Sequence, residues 1–174
     1  MPKLSHTGRR VPAWVLAGVV LTLVLVFGLS GKGPSGGRAA PALPKELLAG
    51  APVTLAALRG AAAGKPALVV FWASWCEPCR TEAPTVERFA RSAAGRGRVV
   101  GVDWSDEAQS ARRFIEKYRW SFPNLRDGEG AVGLAYGLTG LPTTFVIGAD
   151  GHIGETLRGP QTEQTLSRAL AGAG

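Results

Sequence analysis

Two cysteines and two histidines are all the thiol and imidazole chemistry that this 174-residue chain carries. So few exclude a disulfide-stapled scaffold and a four-cysteine zinc site. Charged residues are also scarce, at 19%, while glycine and proline number 24 and 12, which argues against a coiled coil or an acidic disordered chain. Acids are missing altogether from residues 1–42, where Lys3, Arg9, Arg10, Lys32 and Arg38 stand alone. That stretch supplies most of the net charge of +7, because residues 43–174 hold 15 bases against 13 acids. The remainder has no dense basic stripe of the kind phosphate binding needs, so no nucleic-acid partner is expected. The length fits one globular domain plus an appendage.

The appendage is at the N-terminus. No charge interrupts the run from Val11 to Gly31. Residues 11–30 as a helix would extend about 30 Å, the thickness of a hydrocarbon core. The run is longer than the roughly 7–15 apolar residues of a cleaved signal peptide, and the nearest small-x-small site, Ala40-Pro41-Ala42, lies well past its end. The reading is therefore a retained transmembrane anchor over 11–30, with 1–10 as a cytoplasmic tail. Three bases precede the span and two follow, which places the rest of the chain on the extracytoplasmic side. Residues 31–44, rich in Gly, Pro and Ala, read as a flexible tether, and the domain is drawn from 45 to 174.

Within the domain, Pro52–Leu55 is a short strand candidate. Ala67–Ala73 is a continuous apolar run that suits a strand buried on both faces. A helical pattern follows from Glu77 to Ala94. Arg98–Asp103 reads as a second buried strand, and Ser105 or Asp106 as the cap of a helix through Tyr118. An extended piece at Phe122–Leu125 and a small helix at Ala131–Tyr136 come next. Thr143–Ile147 and Ile153–Arg158 flank an Asp150-Gly151 turn, and a helix over Thr162–Leu170 closes the chain. Strands and helices alternate early and a hairpin comes late, which predicts an α/β fold: a mixed sheet with helices on both faces.

Both cysteines stand in Trp75-Cys76-Glu77-Pro78-Cys79, where the buried strand gives way to the helix. Spacing of three at a helix start brings the sulfurs within disulfide reach. Cys76 falls at the helix N-terminus, where free N–H groups and the dipole favour the thiolate; Cys79, one turn in, is better covered and suited to resolving a mixed disulfide. Three other readings compete. Half a zinc site lacks partners beyond His152; covalent haem attachment wants His where Arg80 stands; an inert disulfide closing so short a loop stabilises little.

The segments Phe71–Pro84 (FWASWCEPCRTEAP), Gly101–Asp103, Tyr136–Ile147 (YGLTGLPTTFVI) and Asp150-Gly151 together resemble the thioredoxin-like superfamily. Within it the chain looks like the membrane-anchored, extracytoplasmic ResA/TlpA/CcmG type of thiol–disulfide oxidoreductase. The resemblance implies the thioredoxin fold from about Val53 to Leu170, with Cys76 as nucleophile and Cys79 as resolving thiol. It places Pro142 at the family's cis-proline, whose neighbours Leu141 and Thr143 would offer strand-like hydrogen bonds to a substrate. Trp75, Glu77 and Pro78 complete the substrate rim, with Trp75 packed beside the disulfide. Glu82 matches the acid three residues after the second cysteine, a candidate proton relay for Cys79. The acid that thioredoxin carries six residues before its first cysteine is replaced by Val70. Asp103 reads as a common helix-start residue and a weaker alternative.

The resemblance further implies a reductant of protein disulfides, with apocytochrome c as substrate and a membrane thiol carrier of the CcdA/DsbD type as electron donor. Beyond the redox-active Cys76–Cys79 pair no cofactor or metal is expected. A general extracytoplasmic thiol oxidoreductase or oxidant, or a copper chaperone on the same fold, are the alternatives.

Overall fold

The computed structural model describes residues 37–61 and 64–174. The expected tail, the anchor over 11–30 and residues 31–36 of the tether lie outside them. Among the described residues no helix is long and apolar enough to cross a membrane.

Six strands form one sheet: β1 (Glu46–Ala49), β2 (Ala67–Trp72), β3 (Val99–Trp104), β4 (Asn124–Asp127), β5 (Thr143–Ile147) and β6 (Ile153–Arg158). Their order across the sheet is β1-β4-β3-β2-β5-β6. β2 runs parallel to β3, and β3 to β4; β5 pairs antiparallel with β2 and with β6, and β1 antiparallel with β4. The helices are α1 (Leu55–Ala61), α2 (Glu77–Arg91), α3 (Ala108–Tyr118), α4 (Ala131–Tyr136) and α5 (Glu163–Gly172).

The two-residue period of a strand sorts the side chains of β2 into two cores. Leu68, Val70 and Trp72 face the layer built by α2, α3 and α5, with Phe89, Phe114 and Leu166. Ala67, Val69 and Phe71 face α1 and α4, with Leu58 and Tyr136. All six are buried, as the unbroken apolar run requires, and each large one contributes about 1.5–3 kcal/mol by leaving water. The mixed sheet with helices on both faces is the thioredoxin-like architecture expected.

Several details differ from the sequence reading. Pro52–Thr54 is not a strand: the Thr54 hydroxyl accepts the amide of Ala57 at 3.1 Å and caps α1. The edge strand is instead β1, a few residues earlier. The cap of α3 is Glu107, whose carboxylate accepts Ser110 N–H at 3.0 Å, rather than Ser105 or Asp106. β4 covers Asn124–Asp127 rather than Phe122–Leu125.

The stretch 38–44, read as tether, docks on the domain. Ala39 bridges His152, with Ile153 N–H donating to Arg38 O and Ala40 N–H to Gly151 O at 2.8 and 3.0 Å. The Arg38 guanidinium donates to the carbonyls of Ala135 and Tyr136 at the C-terminal end of α4, where a cation also suits the helix dipole. Tyr136 returns a hydroxyl hydrogen bond to Pro41 O at 2.8 Å, and Leu43 is buried.

Gly101 allows β3 to pass close to β4. A Cβ there would collide with the side-chain carbonyl oxygen of Asn124 and press within 2.9 Å of Trp72 Nε1. Asn124 is fixed by its own amide, which donates to Phe122 O at 2.9 Å. Gly101→Ala should therefore lower stability by about 1–3 kcal/mol, read as an earlier urea midpoint with unchanged slope.

Candidate redox site

The site lies at the C-terminal end of β2. After Trp72 the chain turns through Ala73–Trp75 and enters α2, with Cys76 as its N-cap. The backbone amide of Cys79 donates to Cys76 Sγ at 3.1 Å, and Pro78, in the first turn, lacks an N–H that would have had no helical partner there. The two cysteines are joined as a disulfide with Cα atoms 5.2 Å apart. Both cysteines are buried.

The loop before Cys76 is held from both sides. Ser74 N–H donates to the Asp106 carboxylate. Ser74 O accepts two N–H groups of Arg80, at 3.0 and 2.8 Å, while the same guanidinium pairs with Glu77 at 2.9 Å. Glu77 and Pro78 are exposed, as expected of a rim. Trp75 is 53% exposed; its indole N–H donates to Ser105 O at 3.2 Å, and its ring leans toward Trp104 with centroids 6.5 Å apart. That attachment directs the ring toward the β3–α3 loop.

Register brings the second half of the site to the same end of the sheet. Phe71 pairs with Thr143, so the Leu141–Pro142 segment arrives beside the end of β2. The Leu141–Pro142 peptide bond is cis. Leu141 is half-buried and packs against both cores, and the Thr143 hydroxyl donates to Gly140 O at 2.8 Å. His152 sits in the β5–β6 turn, at the far end of β5. Among the described residues no three His, Cys, Asp or Glu side chains converge as a metal would need.

Glu82, one turn beyond Cys79, is inside the α2/α3/α5 layer with 4% exposure. Burial pushes its carboxyl up to about 7; a hydrogen bond from Gln161 N–H to Oε1, at 2.8 Å, opposes part of that shift. Asp103 is a second buried acid. It lies one residue before the end of β3, opposite Trp72, and is fully enclosed. Burial, with the negative charge of Asp106 added and Arg126 opposing, raises it to about 8. It is not a helix-start residue: Glu107 caps α3. Val70, where thioredoxin has its acid, is plain core.

Three participants were invisible in the sequence. Arg80 staples the loop; Gln161 and Gly159 form a bridge. Gly159 N–H donates to Pro142 O at 2.9 Å and Gln161 N–H to Glu82, so the β6–α5 loop joins the cis-proline segment to the buried acid. The only signal was Gly159-Pro160, a turn dipeptide, with Gly159 at φ 74°.

The raised Glu82 sets a pH dependence. The unfolded chain ionises it near 4.5 and the native protein near 7, so the native state binds more protons between these values. Stability is then greatest below pH 4.5 and falls as pH rises to 7, by about 3 kcal/mol from this group. Glu82→Gln, which still accepts the Gln161 amide, should flatten the slope of unfolding free energy over that window, with Asp103 supplying what slope remains.

The profile of the AhpC/TSA family matches residues 37–156. The chain is 37% identical over 136 residues to the thiol:disulfide interchange protein HelX of Rhodobacter capsulatus, covering 77% of this chain and 74% of that one. It is 30% identical over 108 residues to the thiol-disulfide oxidoreductase ResA of Bacillus thuringiensis, covering 62% of each. A thiol:disulfide interchange protein of the thioredoxin family from Chlorobium tepidum superposes with a TM-score of 0.67 at 27% identity, over 79% of this chain and 96% of its own. A match that runs from the docked N-terminal segment through the cysteine turn and into β6 places the chain in the AhpC/TSA family, among its thioredoxin-like thiol–disulfide oxidoreductases.

Proposed function

We propose that this oxidoreductase works as a reductant of disulfides in proteins outside the cytoplasmic membrane, tethered by residues 11–30. Apocytochrome c before haem ligation is its substrate, and a membrane thiol carrier of the CcdA/DsbD type re-reduces it. The observation that carries the exchange chemistry is the pairing of a helix-capping Cys76 with a buried acid one turn behind Cys79; the reducing direction is inferred from the resemblance. The names of the relatives support thiol–disulfide interchange; the substrate and the donor are inferred from the resemblance, and the compartment from the apolar run.

In the reduced protein the Cys76 thiolate, favoured by the amide of Cys79 and the α2 dipole, attacks one sulfur of the substrate disulfide. One substrate thiolate leaves and takes up a proton, and a mixed disulfide forms on Cys76. Cys79 then loses its proton and attacks Cys76 Sγ. The Cys76–Cys79 bond closes and the second substrate sulfur leaves as a thiolate. Two electrons pass from the pair to the substrate.

Glu82 is the base for the second step. Helix positions three apart are neighbours, with Cβ atoms about 5–6 Å apart. Its Oε1 is occupied by the Gln161 amide, which leaves Oε2 for the proton. A carboxyl held at about 7 both accepts a proton and returns it near neutral pH. Leu141 and Thr143 would align the substrate backbone, with Trp75, Glu77 and Pro78 as the rim.

Glu82→Gln should slow turnover by about a hundredfold and remove the inflection near pH 7 from the pH–rate profile, while leaving mixed-disulfide formation on Cys76 intact. Cys79→Ser should retain its target as a mixed disulfide, to be identified by mass spectrometry. A glutathione titration should place the couple nearer about −270 mV than −120 mV. Cells carrying Cys76→Ser should lose haem attachment to cytochrome c; intact attachment would indicate a broader substrate range.

A further inference from the structure

Beside the cysteine turn an open groove of about 420 Å³ separates the active-site loop from α3. Ser74 and Arg80 form one wall. Ser110, Arg113 and Lys117, spaced three and four apart, form the other, as expected of one face of a helix. Three cations therefore line a groove that shares its wall with the reactive turn.

Their existing partners engage Arg80 but leave Arg113 and Lys117 available. Arg80 is occupied by Ser74 O and Glu77. Arg113 donates to Ser110 Oγ at 2.9 Å and stands 3.9 Å from Glu107, which uses the same carboxylate to cap α3. Lys117 lies over the Tyr118 ring at 5.2 Å and, among the described residues, is in no ion pair. Arg113 keeps N–H groups to spare and Lys117 all three. Both are exposed, so they meet a partner without first losing a buried contact.

We infer that this groove receives an acidic segment of the protein substrate, close in sequence to the cystine that Cys76 attacks. The inference rests on the disulfide-exchange reading above and adds a selectivity to it. A substrate sulfur seated at Cys76 sends its flanking chain past Ser74 and Arg80. Asp or Glu side chains there would meet Arg113 and Lys117, whereas basic flanks would be repelled. Such contacts at a half-exposed rim act on encounter and orientation and weaken with salt.

The test compares two synthetic peptides of equal length, each with one intramolecular disulfide, one flanked by Asp and Glu and the other by Lys. Hydroxyethyl disulfide serves as an uncharged substrate. At low ionic strength kcat/KM should favour the acidic peptide by about tenfold, and the preference should shrink in 0.5 M salt. Arg113→Glu/Lys117→Glu should abolish or reverse it and leave hydroxyethyl disulfide turnover unchanged, which also verifies folding; Arg113→Gln/Lys117→Gln should give an intermediate ratio. Equal rates on the two peptides, or a preference that survives the double reversal, would overturn the inference while the oxidoreductase reading stands. Charge-dependent binding to anionic phosphatidylglycerol vesicles with no peptide preference would overturn it in favour of a lipid surface. Failure to reduce any of the three disulfides would remove the oxidoreductase reading, and this inference with it.

Discussion

One hydrogen bond ties the two halves of this site together: the amide of Gln161 on the carboxylate of Glu82. A carboxyl enclosed by apolar side chains loses its hydration, and a single N–H restores only part of it. The group is thereby held near neutrality instead of being fixed in either form. The same loop reaches, through Gly159, the carbonyl of Pro142. The acid behind the disulfide and the segment that faces a substrate thus rest on one short connection between β6 and α5. Shifts of that loop would alter proton handling and substrate alignment together.

The parts of the fold that could be read from the sequence are those where local pattern and tertiary burial agree. β2 is an unbroken apolar run because helices cover both its faces, and β5 and β6 are delimited by the Asp150-Gly151 turn. The cysteine pair was legible because strand-to-helix junctions have signatures of their own. Pro52–Leu55 misled because Pro, Val and Thr favour extended backbone, while the deciding interaction is a hydroxyl cap on α1. The stretch 38–44 has the composition of a linker, yet its backbone pairs with residues more than a hundred positions away, and composition carries no trace of that. Gln161 and Gly159 act through backbone groups on a loop distant in sequence, and Arg80 through the carbonyl of Ser74 in the preceding turn, which no spacing rule encodes.

Asp103 shows a different limit. An acid at the end of a strand is ordinarily solvated or caps the following helix. Here Glu107 caps α3 and Asp106 turns back to Ser74, which leaves Asp103 enclosed opposite Trp72. Asp106 therefore has two effects at once: it holds the loop before Cys76 and its charge disfavours ionisation of its neighbour. Loss of thioredoxin's acid at the Val70 position does not leave this core without carboxyls. Glu82 on α2 and Asp103 on β3 are both buried in it, and neither is on β2.

The bridge between Ala39 and His152 fixes where the chain joins the domain. It lies at the hairpin end of β5, and the five residues of that strand, at about 3.3 Å each, separate it from the disulfide. The docked segment therefore enters the domain at the pole remote from the chemistry, and the disulfide end of the sheet is left clear of it.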